Sequence, residues 1–252
     1  MTTAPSRALR LLAAPLIVGA LVFGAVAPAQ ADGRGPGPGQ GGPATAEPVM
    51  TTMLSGNVAA LTFDDGPNPE TAPRLLEVLA ANEAKAVFCL IGDYVKQHPD
   101  VVRQLVAAGH TLCNHSMHHT RGIGGWSAER LRVDMEETLA AIRDAVGGVP
   151  VPYYRVPYSF WGQSAQVAAD LGMQPLGATF AIFDWETQDV DVLAQRLETQ
   201  LRANPGGIAL LHDGAAAGAA TTDRRGTVEA LAQVLPELRA EGWQFHKPAR
   251  RG

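Results

Sequence analysis

The chain holds only two cysteines in 252 residues, carries no excess of positive charge and, past its first thirty residues, contains no long hydrophobic run. Two cysteines exclude a disulfide-built scaffold and a four-thiolate zinc site. Twenty Lys and Arg against 25 Asp and Glu leave a net charge of −5. Arg7 and Arg10 are the only charged residues before Asp32, so the rest is more acidic still. A surface of that sign repels polyanions and argues against a nucleic-acid partner. No repeat of 20–50 residues is visible, which excludes solenoid and propeller arrays. What is present is 46% apolar and 18% charged residues, the balance of a folded chain and not of a disordered one.

Arg7 and Arg10 precede the apolar stretch 11–27, which is followed by Ala29-Gln30-Ala31. A basic start, an apolar middle and a small-residue site predict a secretory signal over 1–31, cut after Ala31. The competing reading is a membrane anchor, but the run is interrupted by Pro15 and falls just short of the roughly 18 residues a span needs. Residues 32–48 are rich in Gly and Pro with no apolar residue larger than Ala before the last position, and read as a linker. The folded domain is expected over 49–252, exported and monomeric.

From residue 57 onward short apolar runs alternate with helical periodicity. Strands are expected at 57–63, 86–91, 111–113, 153–155, 173–180 and 208–211. Helices are expected at 71–82, 99–108, 127–146, 164–171, 191–202 and 227–240, the last kinked or divided by Pro236. Ser127 reads as an N-cap and Gly147 as a stop. Continuous apolar strands alternating with helices predict an α/β fold with a mainly parallel sheet surrounded by helices, as a barrel or an open wound sheet. In such folds function collects at the C-terminal strand ends, and there lie Asp64-Asp65, His115–His119, Arg155–Tyr158 and His212-Asp213.

His115 and His119 stand four apart, a spacing that on a helical turn offers two imidazoles to one metal ion. With Asp65 they form an open three-ligand set for a divalent ion, Zn²⁺ first and Co²⁺ or Ni²⁺ as alternatives. His118 points elsewhere, and His98, His110 and His246 read as structural or surface residues. Arg155 is able to pair with a carboxylate, Pro157 fixes the following turn, and His212 ends an apolar run as a candidate general acid. Cys89 and Cys113 sit in neighbouring strands, either bridged or as two buried thiols.

Thr62-Phe63-Asp64-Asp65-Gly66-Pro67, His115-Ser116-x-x-His119, Arg155-x-Pro157-Tyr158 and Leu210-x-His212, in this order, resemble the polysaccharide deacetylases of carbohydrate esterase family 4, the NodB-homology domain. The resemblance spans about residues 58–246. It implies a distorted (β/α) barrel and a metal-dependent deacetylase acting on an acetylated polysaccharide. Asp64 would be the general base, oriented by Arg155. Asp65, His115 and His119 would be the metal ligands, the Tyr158 N–H an oxyanion donor, and His212 the general acid. The implied substrate is N-acetylglucosamine units of peptidoglycan or chitin oligosaccharides. Acetylated xylan, cleaved as an ester, is the alternative, as is a glycan-binding homologue that has lost catalysis. Two departures stand out. Asp184-Trp185 is present, but Ala181 occupies the place of an earlier Asp, which puts the support of Arg155 or His212 in question; a shifted register would use Glu186 instead. Ser159 replaces the glycine usual after Tyr158. Trp185 is a candidate floor for a sugar ring or simply packs in the core.

Overall fold

A strand buried on both faces reads as a near-continuous apolar run, and Val58–Phe63, interrupted only by Thr62, is one. It opens β1 (Val58–Gly66), whose nine residues are all buried. The computed structural model describes residues 1–2, 44–219 and 221–250. The expected signal segment beyond its first two residues, and the linker up to residue 43, lie outside the described residues. After β1 come α1 (Ala72–Ala81), β2 (Val87–Leu90), α2 (Gly92–Gln97), α3 (Pro99–Ala107) and β3 (Thr111–Asn114). There follow α4 (Ala128–Val146), β4 (Tyr153–Tyr154), α5 (Ser164–Asp170), β5 (Gln174–Pro175) and β6 (Phe180–Ala181). The chain ends with α6 (Val190–Ala203), β7 (Ile208–His212), α7 (Arg225–Ala240) and β8 (Gln244–Phe245).

The strand order is β5-β4-β3-β2-β1-β7-β6, with β8 added beside the start of β1. Every paired strand runs parallel to its neighbour. No ladder joins β5 to β6 among the described residues. Instead Val49 bridges to Leu176 and Thr51 to Gly207, so residues 49–51 span the seam. The result is the expected distorted (β/α) barrel, a curled parallel sheet with helices around it.

Alternation along β1 sorts its side chains. Ala59, Leu61 and Phe63 face the helices and join the main core with Leu75, Leu79, Leu211 and Leu235. Ala60, on the opposite face, packs inside the barrel with Val87, Cys89, Cys113, Tyr153 and Ile208. Thr62 and Asp64 continue that inner face. Cys89 and Cys113 are register partners on β2 and β3 and are joined as a disulfide. Cys89 is also the register partner of Asp64, so the bridge lies within the barrel floor beside the strand tip that carries the aspartates.

Three expectations need correction, and one helix is new. The strand expected at 173–180 is two short strands, β5 and β6, separated by residues 176–179. The seam itself breaks it, because Leu176 pairs with Val49 while Phe180 pairs with Ala209 on β7. Pro236 does not divide α7, which runs unbroken to Ala240. The proline is on the exposed side, while Leu231, Val234, Leu235 and Leu238 hold the inner face in the core. Residues 44–48, read as linker, are docked: Gln174 Nε2 donates to the carbonyls of Thr45 and Glu47. Helix α2 was not anticipated, being a six-residue turn without a periodic stripe.

Candidate active site

In-register parallel pairing brings the strand ends level. Asp64 is opposite His212 on β7 and Cys89 on β2; Leu90 is opposite Asn114 on β3; Asn114 is opposite Tyr154 on β4. The residue after each tip therefore opens on one rim, and the four polar clusters expected at strand ends share one cavity. Its volume is about 1030 Å³, and its walls include Asp64, Asp65, His115, His119, Arg155 and His212.

Two adjacent strand residues normally face opposite ways. Asp64 and Asp65 escape this through a register shift between Asp64 and Gly66 and a left-handed backbone at Asp65, φ 68°. The close passage of the β7 loop depends on glycine: a Cβ at Gly214 would meet the Asp65 carbonyl oxygen at 2.0 Å. A second local surprise concerns the histidines. Residues 115–119 form no helical turn. Left-handed backbone at Ser116 and His119 folds the loop back, and the two rings meet with centroids 4.9 Å apart. The loop is fixed by the Ser116 N–H on the Asn114 side chain, the His119 N–H on Ser116 Oγ and the Met117 N–H on buried Asp134.

The ligand atoms of Asp65, His115 and His119 all lie within 4.8 Å of one another. Asp65 Oδ1 is 3.4 Å from His115 Nε2 and 3.2 Å from His119 Nε2, yet this buried oxygen accepts no hydrogen bond. Its partner oxygen Oδ2 accepts the Ala216 N–H at 3.1 Å. His115 Nδ1 lies 2.8 Å from the Arg155 carbonyl. Donating there fixes the tautomer whose Nε2 lone pair faces the cavity, the usual second-shell arrangement of a ligating histidine. Three convergent donors around an unsatisfied oxygen fit a divalent cation. Burial pushes the Asp65 carboxyl up, but contact with His115 and the charges of His115 and His119 outweigh it and hold the group well below the usual range. Burial and the charge of His115 push His119 down to about 4, so its ring is neutral. Burial opposes a proton on His115, while Asp64 and Asp65 favour it more strongly; the same carboxylates would favour a metal ion in its place.

Arg155 is 5% exposed and fully committed. Nη1 donates to Asp64 Oδ1 at 2.7 Å and to Thr62 Oγ1 at 2.8 Å, while Nε and Nη2 donate to the Leu176 and Gly177 carbonyls. The pairing with Asp64 is thus single-pronged, because the rest of the fork is spent on backbone and on Thr62. Thr62 stands in the first motif but was given no role, although a lone hydroxyl two residues before Asp64 in an apolar strand had to share its face.

His212 Nδ1 lies 2.7 Å from Asp184 Oδ1, and the His212 N–H donates to Asp184 Oδ2 at 2.8 Å. Thr227 on α7 donates to Oδ2 as well. Burial alone would lower His212, but its hydrogen bond to Asp184 and that carboxylate's charge raise it to about 9. This settles the question posed by Ala181: Asp184 itself supplies the carboxylate. Glu186 instead faces Arg196 at 3.8 Å. Trp185 is 39% exposed and stands edge-on to the His212 ring, so it is a cavity wall and not core. Pro157 is buried in a 3-10 turn in which Tyr158 and Ser159 are both left-handed, φ 58°. This is the strain that the missing glycine leaves at Ser159. The Tyr158 ring, half exposed, packs on His119 at 4.7 Å. His118 is exposed and meets Asp93, and His110 is buried against the Ala86 N–H, both outside the site. Asp213, fully buried with neither oxygen partnered, is pushed up to about 8 by burial and then by Asp65; nothing in the sequence separated it from a turn residue.

Residues 53–176 match the family model described as polysaccharide deacetylase. A chitooligosaccharide deacetylase of Bradyrhizobium sp. (strain ANU 289) is 33% identical over 192 residues, 74% of this chain and 86% of that protein. The chain belongs to the polysaccharide deacetylase family. A peptidoglycan-N-acetylglucosamine deacetylase of Bacillus cereus is a further relative, 31% identical over 191 residues, 75% of this chain and 84% of that one. Among solved structures, a CE4 family pseudoenzyme from Bacillus anthracis superposes with a TM-score of 0.69 at 25% identity, covering 80% of this chain and 67% of its own. Family membership thus extends to a protein described as a pseudoenzyme, and the side chains at the site carry the functional argument.

Proposed function

We propose that this member of the polysaccharide deacetylase family is an exported, zinc-dependent hydrolase that removes acetyl groups from N-acetylglucosamine units of a glycan. The observation that carries the reading is the convergence of Asp65, His115 and His119 on one point, between Asp64 on one side and His212 on the other. A divalent cation held by those three residues would acidify a water and polarise the acetyl carbonyl. Zn²⁺ suits two imidazoles and one carboxylate, with Co²⁺ or Ni²⁺ as substitutes.

The chain's own residues do the rest. Asp64 takes the proton of the attacking water through Oδ2, the oxygen not held by Arg155. Arg155 and Thr62 fix the carboxylate so that it does not swing. The Tyr158 N–H donates to the oxygen that becomes negative as the tetrahedral centre forms. His212 delivers a proton to the departing nitrogen, without which an amine is a poor leaving group. Asp184 holds that ring in the tautomer and orientation for the transfer. Trp185 supplies an apolar wall for a sugar ring beside His212.

N-acetyl substrates are favoured over acetylated xylan by the activities of these relatives, which are chitooligosaccharide and peptidoglycan deacetylases. Export is supported by the signal pattern of 1–31 and by the Cys89–Cys113 disulfide, which suits an oxidising compartment. The test is acetate release by the zinc-loaded chain from N-acetylglucosamine oligomers and from acetylated xylan. Release from the oligomers at the higher kcat/KM supports the reading; release from xylan alone makes the protein an esterase, and release from neither refutes it.

A further inference from the structure

Residues 49–51 close the seam between β5 and β6, and one side chain of this strap belongs to the catalytic cavity. Met50 lines it beside Leu176, Gly177 and Ala178 and is 45% exposed. Met117, Met135 and Met173 are buried, the usual fate of this residue. An apolar side chain standing alone on a surface needs no explanation. One held in the wall of a binding cavity does.

The strap is pinned from both sides of the seam. The Val49 N–H donates to the Pro175 carbonyl at 2.9 Å, and the Gly177 N–H donates to the Val49 carbonyl at 2.8 Å. Thr179 Oγ1 donates to the Met50 carbonyl, and the Thr52 N–H donates to the Gly206 carbonyl at 2.7 Å. The thioether leans on backbone: a Cβ at Gly177 would stand 2.2 Å from Met50 Sδ, so the sulfur fills the space that a side chain at 177 would take. The Gly177 carbonyl in turn accepts Arg155 Nη2 at 2.8 Å. Met50 therefore rests on the residue that helps hold the arginine fixing Asp64. It is not one of the reacting groups, yet it shares their rim. The family match begins at residue 53, so this piece of wall comes from outside the matched stretch. At about 1030 Å³ the cavity is at the upper end of sites that enclose a whole drug-sized ligand, more room than one N-acetylated sugar fills.

Resting on the deacetylase reading, we propose that Met50 is a substrate-binding residue whose thioether packs on the apolar face of a sugar beside the unit being deacetylated. A pyranose ring presents C–H groups on its faces. An unbranched, polarizable side chain adapts to such a face and asks for no hydrogen bond. Covering it takes apolar surface out of water without stranding a polar group.

The test measures KM and kcat separately for the N-acetylglucosamine tetramer on the zinc-loaded chain. Met50→Gln keeps the length of the side chain and loses its apolar character. It should raise KM by about three- to tenfold, the scale of covering one half-exposed apolar side chain, with kcat within about twofold. Met50→Leu, apolar and of similar volume, should keep KM near that of the unsubstituted chain. An unchanged KM in Met50→Gln overturns the inference while acetate release leaves the deacetylase reading standing. A fall in kcat shared by both variants, with KM unmoved, gives Met50 a purely structural role and also overturns it. If Met50→Gln does not fold, a chemical probe decides. Hydrogen peroxide transfers one oxygen atom to the thioether sulfur and departs as water, leaving a polar sulfoxide. Treatment should raise KM of the unsubstituted chain and spare Met50→Leu, in which Met53, 61% exposed, remains to be oxidised as the control. Equal changes in the two overturn the assignment to Met50. No acetate from the tetramer on the unsubstituted chain refutes the deacetylase reading and this inference with it.

Discussion

Asp184 holds His212 from two sides: one carboxylate oxygen is 2.7 Å from the ring Nδ1 and the other accepts the backbone N–H of the same residue at 2.8 Å. The clamp fixes side chain and strand together, and it explains why His212, although buried, binds its proton more tightly than a free imidazole.

The sign of the pH dependence follows. His212 acts in its protonated form and its pKa is raised to about 9, so kcat/KM should hold through neutral pH and fall as pH rises through about 9. Asp184→Asn removes the charge that raises the pKa and leaves the burial that lowers it. The basic limb should then move down towards or below the ordinary histidine value near 6.5. A limb that stays in place in a pH–rate profile of that variant would show that His212 is not the acid.

Asp64→Asn keeps the shape of the side chain and its contact with Arg155 but cannot take a proton. Turnover should drop by about 10²–10⁴-fold, the usual worth of a general base. Zinc content, measured by mass spectrometry, should be unchanged because Asp64 is not one of the three convergent donors. Retained activity would remove the base assignment.

His115→Ala takes away one of three donors and the bond that orders the Arg155 carbonyl. Bound metal should fall below one equivalent at micromolar zinc, and activity with it. Chelation of the unsubstituted protein should abolish acetate release, and added Zn²⁺ or Co²⁺ should restore it. Full metal content in the variant would defeat the ligand set.

The disulfide closes a loop of 24 residues in sequence. Cys89→Ala with Cys113→Ala should lower stability by about 3 kcal/mol, which for a domain of this size is roughly 6–12 °C in Tm. Calorimetry of the double variant, or of the wild type with and without reductant, measures it; an unaltered Tm would mean that the bridge does not constrain the unfolded chain.

The fold was legible because its parallel strands are unbroken apolar runs with polar residues at their ends, and the site because those ends coincide in a parallel sheet. Register was not legible. Nothing in the sequence stated that Asp64 and His212 are side by side, which depends on the alignment of β1 with β7. Nor did the spacing of four between His115 and His119 mean a helical turn; left-handed Ser116 and His119 did that work. Asp184 was expected beside the site, but its partner stayed open because order along the chain does not reveal which carboxylate reaches an imidazole. Pro236 was read by its local cost alone, which the core contacts of α7 outweigh.

The pairing of β1 with β7 joins residues 147 apart in sequence, as in the bond from Thr62 to Ala209. The three donors that converge on one point all come from the first half of the chain, on the tips of β1 and β3, whereas the acid arrives only when β7 docks. Assembly in chain order would thus yield a cation trap before it yields a hydrolase. A truncated product ending before residue 208 would keep the whole donor trio and have no proton donor for the leaving group.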